Sequence, residues 1–195
     1  MTPLEQIAVR KRVIARGVFP HQFSWLLELP WRRLVLSPEA LASRLPLRAD
    51  SSVLEIGSGS GYYSIEIARR IRTGRLELFD VQAEMLGRCR AKREAAGLTN
   101  VGYTVGDAAA LPFAHARFDV VFMVAVLGDV SDRAGCLGCV RRVLTPGAVL
   151  SISEHLPDPD FTTRGSLRHR AEHAQFAVDR LYGFPWAYAA NLRMR

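Results

Sequence analysis

From residue 53 onward, short apolar runs alternate with stretches of helical period. Residues 53–56 read as a strand and 61–71 as a helix. Residues 75–79 form a second strand, with Leu76 and Leu78 on one face and Glu77 on the other. A helix over 82–96 ends at Gly97, and 101–105 is a third strand. Residues 118–124 are nearly all apolar, the pattern of a strand buried on both faces. A helix over 130–144, stopped by Pro146-Gly147, precedes a strand at 148–153 and a helix at 166–174. Two final strands, 176–182 and 186–193, are close enough for an antiparallel hairpin at one edge. Alternation of this kind predicts an α/β fold, a mostly parallel sheet covered by helices on both faces.

The segment before residue 49 has a different character. Residues 2–16 read as a short basic amphipathic helix. Residues 21–36 read as a second helix carrying Phe23, Trp25, Leu26, Leu29 and Leu34, kinked at Pro30. Ser37-Pro38-Glu39 opens a third through Arg44, with Ser as cap and Pro in the first turn. The division expected is an N-terminal helical cap, 1–48, on an α/β domain, 49–195.

Local chemistry concentrates where strands end. Glu55-Ile56-Gly57-Ser58-Gly59-Ser60-Gly61 sits between a strand and a helix, where glycines let the backbone turn sharply and approach a ligand. Asp80 ends the next strand, 19 residues after Gly61, where a carboxylate can take both hydroxyls of a ribose. Asp107, after Gly106, ends the third. Taken singly, Asp80 serves equally as a cap of the following helix, and Asp107 as a cap of a short turn. All these positions fall on the strand C-terminal edge, where such sheets bind ligands.

In this order the motifs resemble a class I S-adenosylmethionine-dependent methyltransferase. The matching segments are residues 53–61; Phe79-Asp80-Val81-Gln82 with Met85-Leu86; Gly106-Asp107-Ala108 followed by Leu111-Pro112-Phe113; Phe118-Asp119-Val120-Val121; and Arg142-Val143-Leu144-Thr145-Pro146-Gly147. The likeness is greatest to small bacterial enzymes related to the ubiquinone/menaquinone-biosynthesis methyltransferases. It implies a Rossmann-like three-layer sandwich, a seven-stranded mostly parallel sheet with an antiparallel C-terminal hairpin strand. It also implies S-adenosylmethionine as methyl donor. Gly57, Ser58, Gly59 and Gly61 would then form the loop against its methionine part, and Glu55 would orient that loop. Asp80 would take the ribose; Val81, Gln82 and Met85 would flank the adenine; Asp107 and Ala108 would read its edge. The backbone near Val124 and Ala125 would face the acceptor. Ala148 departs from the second glycine often found after Pro-Gly in the family.

Candidates for removing a proton are His155, after the fifth strand; Asp129, after the fourth; and His21, in the N-terminal segment. Each serves equally as loop polarity. Cys136 and Cys139 form a C-x-x-C without a second ligand pair or a helix N-terminus, so they read as core and no metal is expected. Aromatics gather at Phe19, Phe23, Trp25 and Trp31, at Tyr62 and Tyr63, and at Phe184, Trp186 and Tyr188; they serve an apolar acceptor pocket or the packing of the cap.

Composition narrows the classes. The chain of 195 residues is 49% hydrophobic and 23% charged, an ordinary globular balance. Three cysteines make no disulfide framework, and no secretory leader is evident, so a reduced, cytoplasmic protein is expected. The net charge of +7 comes from arginines spread along the whole chain. Dispersed charge reads as solvated helix faces, and a small-molecule substrate is expected with no nucleic acid. The basic helix at 2–16 and Trp31-Arg32-Arg33 suit contact with an anionic membrane surface. A nicotinamide-dependent oxidoreductase is the main rival, since it uses the same loop and strand-end acid. A catalytically silent S-adenosylmethionine-binding protein is the other. The acceptor and the oligomeric state are not legible.

Overall fold

The computed structural model describes residues 36–195. The helix expected over 2–16, His21, and all but Leu36 of the helix expected over 21–36 lie outside the described residues. In chain order the described elements are α1 (Pro38–Arg44), β1 (Ser52–Ile56), α2 (Ser64–Arg70), β2 (Arg75–Asp80), α3 (Ala83–Ala95), β3 (Val101–Val105), β4 (Phe118–Val124), α4 (Arg133–Val143), β5 (Leu144–His155), α5 (Arg164–His173), β6 (Phe176–Phe184) and β7 (Ala187–Met194). Short 3-10 turns follow β3 at Ala108–Ala110 and β4 at Leu127–Asp129.

The seven strands lie in the order β3-β2-β1-β4-β5-β7-β6. Only β7 runs against the others, inserted between β5 and β6 by the C-terminal hairpin. The chain reverses its direction of travel between β1 and β4, which opens the crevice beyond their C-terminal ends.

Alternation along each strand feeds two cores. Leu54, Ile56, Val121, Leu150 and Ile152 face α4 and α5, packing on Leu137, Val140, Leu167 and Ala171. Val53, Leu78, Val120 and Phe122 face the other way, onto Leu41, Ile67, Leu86 and Cys89 from α1, α2 and α3. The result is the expected three-layer sandwich. Cys136 is fully buried in the first core, as its packing role required. Asp119, part of the fourth-strand motif, lies at the opposite sheet edge from the crevice and accepts the Ser52 N–H at 2.9 Å.

Several boundaries differ from expectation, most by one or two residues. α2 begins at Ser64, because Gly61 adopts φ +79° and turns the chain first. α4 spans fewer residues than 130–144, and Pro146-Gly147 does not stop it. That pair lies inside β5, in an irregularity where the register with β4 jumps from Leu144 to Val149. A bulge accommodates a proline that cannot donate to the ladder. β5 also runs on to His155, which carries its last residues to the crevice.

Leu54 has no exposed surface and stands between β2 and β4 in the sheet centre. Leu54→Ala should destabilise the protein by about 2–5 kcal/mol in equilibrium urea unfolding.

Candidate functional site

The glycine loop is strapped to the end of β2. Gly57 N and Ser58 N both donate to the Phe79 carbonyl, at 2.8 and 3.3 Å, and Gly59 N donates to Asp80 Oδ2 at 2.9 Å. Asp80 Oδ1 accepts the Gln82 N–H at 2.9 Å. One buried carboxylate therefore fixes the loop and the turn that leads into α3 together. Burial raises its pKa, against the pull of the N–H groups of Gln82, Gly59 and Val81.

Glycine is required in this loop for two separate reasons. Gly57, Gly59 and Gly61 all have positive φ. A Cβ on Gly57 would also collide with the Val126 side chain, and one on Gly61 would stand 3.0 Å from Cys89 Sγ. Cys89, buried on α3, donates to the Gly59 carbonyl at 3.1 Å. Its thiol is pushed up to about 12, chiefly by burial, so it is an inert prop for the loop.

Glu55 lies beneath. Its Oε2 accepts from Ser64 Oγ at 2.6 Å, tying β1 to the first residue of α2. Burial pushes its carboxyl up to about 8; Ser64 opposes the shift and Asp80 adds to it.

The rim is apolar. Val81 and Val105 are each 54% exposed although both adjoin strand ends. Between them Asp107 is exposed and accepts the Ala109 N–H at 2.9 Å, capping the 3-10 turn. Gln82 and Ala108 are half-buried here. Val124 ends β4 half-exposed, and Ala125 follows at φ +53°, a strained conformation for a residue with a side chain. Ala125 holds that shape by donating to the Ser153 carbonyl at 2.8 Å.

His155 is buried at the end of β5. Asp129 sits in the turn after β4, its carboxyl pushed up to about 7 by burial and by Asp158 and Asp160. Glu55, the glycine loop, Asp80 and Asp107 thus gather at the C-terminal ends of β1, β2 and β3, while Asp129 follows β4 and His155 ends β5. Ser64, Cys89, Val105 and Val126 escaped the sequence reading. No motif marks them; only the fold brings them to the loop.

Fold and site together define an α/β domain of the nucleoside-cofactor type, with its site at the reversal between β1 and β4. The chain belongs to the methyltransferase domain family, matched over residues 47–180, in its class I S-adenosylmethionine-dependent form. Among curated relatives it is 33% identical to a ubiquinone/menaquinone biosynthesis C-methyltransferase of Roseobacter denitrificans over 62% of this chain and 50% of that protein. It is 32% identical to the enzyme of the same name from Cellvibrio japonicus, over 64% and 48%. The chain thus spans about half the length of the curated relatives it matches. A solved S-adenosylmethionine-dependent methyltransferase from Aquifex aeolicus shares its fold, with TM-score 0.82 at 22% identity over 89% of this chain and 98% of that one. A solved [4+2]-cyclase shares it too, with TM-score 0.68 at 20% identity over 74% of this chain and 57% of that one.

The residues present fit the family's methyl donor. The loop holds a buried Ser60 Oγ with no hydrogen-bond partner among the described residues, and the rim offers exposed apolar surface beside two carboxylates.

Glu55 makes a pH signature. Its ordinary pKa of 4.5 rises to about 8 in the fold, so the native state prefers the protonated acid. That contribution is complete below about pH 4.5 and is lost as pH rises toward 8. Thermal melts of Glu55→Gln should therefore show a shallower loss of stability between about pH 5 and 8 than the parent protein.

Proposed function

We propose that this protein transfers a methyl group from S-adenosylmethionine to an apolar small-molecule acceptor seated beyond β4 and β5. The observation that carries the donor half is the Asp80 clamp, which sets the glycine loop and a strand-end carboxylate side by side at the β1/β4 crevice. Gly57, Ser58, Gly59 and Gly61 would hold the amino-acid part of the donor. Asp80 would take the ribose hydroxyls. Val81, Gln82, Asp107 and Ala108 would enclose the purine. Family membership favours this over hydride transfer with a nicotinamide.

An exposed aromatic lip supports the acceptor half. Phe184 and Trp186, at the hairpin turn, stack with ring centroids 5.3 Å apart and are 62% and 57% exposed. β6 runs parallel to β5, so this turn lies on the same sheet edge as His155. Leu156, 50% exposed, donates its N–H to the Trp186 carbonyl at 2.9 Å, which joins the lip to the end of β5. An aromatic, quinone-like acceptor suits such a surface, and the names of the curated relatives agree with it.

S-adenosylmethionine supplies a methyl group on a sulfonium, whose leaving group is a neutral thioether. The protein's work is then mainly alignment and exclusion of water, which supplies roughly 7–11 kcal/mol in well-oriented reactions. His155 is the proposed proton acceptor for an acceptor group that must ionise.

Three measurements test this reading. Asp80→Ala should weaken donor binding by about 1.5–3 kcal/mol in calorimetry, the scale of a lost charge-assisted hydrogen bond. Tritiated methyl donor should label a compound from a lipid extract, and a Phe184→Ala/Trp186→Ala double variant should raise the acceptor KM without changing donor affinity. Binding of donor with no label in any fraction would instead favour a silent binding protein.

A further inference from the structure

Asp129, Asp158 and Asp160 each bring a carboxylate oxygen within 4.8 Å of the others. They come from two loops, one after β4 and one after β5. Gly128 lets the loops touch, since a Cβ there would collide with the Asp160 carbonyl oxygen. The contact that concentrates the acids is therefore built into the backbone.

The acids of this group repel one another, and the pull of Arg133 offsets only part of that repulsion. Arg133 is the nearby cation, but its Nε donates to the Leu127 carbonyl at 3.0 Å and its Nη2 donates to the Gly128 carbonyl. It is spent on holding the first loop. Among the described residues, no ion pair reaches Asp129, Asp158 or Asp160.

A second and independent observation comes from β5. Glu154 is 2% exposed, on the face that carries Leu150 and Ile152 toward α4 and α5. Its Oε2 accepts the Thr162 N–H at 3.4 Å, two residues beyond Asp160. Its Oε1 is buried and has no hydrogen-bond partner among the described residues. Asp158, Asp129 and Arg133 are the charges it feels there. A buried carboxylate oxygen without a partner is costly, and a fourth acid beside three others compounds the cost. Hard divalent cations are the ligands that oxygen-only groups of this kind take.

We infer that Asp129, Asp158 and Asp160, backed by Glu154, bind a divalent cation of the magnesium, manganese or calcium class. The site lies at the ends of β4 and β5, on the acceptor side of the crevice. Asp129 is a ligand in this arrangement, which leaves His155 for proton transfer.

The test uses the full chain and manganese(II), read by the loss of its free-ion paramagnetic resonance signal. One ion should bind per chain, and magnesium or calcium should displace it. Glu154→Gln should weaken binding by about tenfold, the scale of a supporting residue. Asp158→Asn/Asp160→Asn should abolish it while the melting temperature and S-adenosylhomocysteine affinity stay at parental values. If the double variant does not fold, Asp160→Asn alone should weaken binding by about tenfold or more. Manganese that stays free up to about 1 mM, or binds the folded variants as it binds the parent, would overturn the assignment. The readout needs neither methyl donor nor acceptor, so its failure leaves the methyltransferase reading untouched, and the converse holds.

Discussion

The site depends on one buried carboxylate. Asp80 receives the Gly59 amide on one oxygen and the Gln82 amide on the other, so loop, strand and helix meet on a single side chain. Glycine gives the loop its positive φ angles but also its freedom, and a loop with three such residues is costly to order. The clamp on Asp80, the Phe79 carbonyl and the Cys89 thiol hold it in one shape before any ligand arrives. Preorganisation of this kind lowers the cost of binding.

The other half of the crevice follows from the sheet. The strand order reverses between β1 and β4, and just beyond β4 Ala125 turns in a conformation costing about 1–3 kcal/mol. Val126 then fills the space that a side chain at position 57 would need. The glycine at 57 and the strain at 125 are therefore two sides of one close approach. Beyond β5, the hairpin insertion of β7 brings Phe184 and Trp186 around to the same edge.

Most of the architecture is legible in the sequence because strand and helix periods are clean from residue 53 on. What escapes is set by backbone contacts. Gly61-Tyr62-Tyr63 has helical composition nearby, yet the φ of Gly61 postpones α2. Pro146-Gly147 looks like a terminator and is absorbed by a bulge. The ambiguity of Asp80 and Asp107 has a physical origin. Asp107 does cap the 3-10 turn after it, Asp80 accepts the N–H of Gln82 just ahead of α3, and both still stand at strand ends. Glu55 was visible by its place before the glycines, but its partner Ser64 is found only once β1 and α2 are stacked. Asp129, Glu154, Asp158 and Asp160 belong to separate loops and a strand, and only topology makes them neighbours.

The central claim is that the strapped glycine loop and Asp80 are the surface that meets the adenosyl ligand. Backbone amide resonances of isotope-labelled protein, followed while S-adenosylhomocysteine is added, test it most directly. Gly57, Ser58, Gly59 and Gln82 should show the largest saturable shifts. Saturable shifts confined to other parts of the chain, with these four amides unmoved, would contradict it.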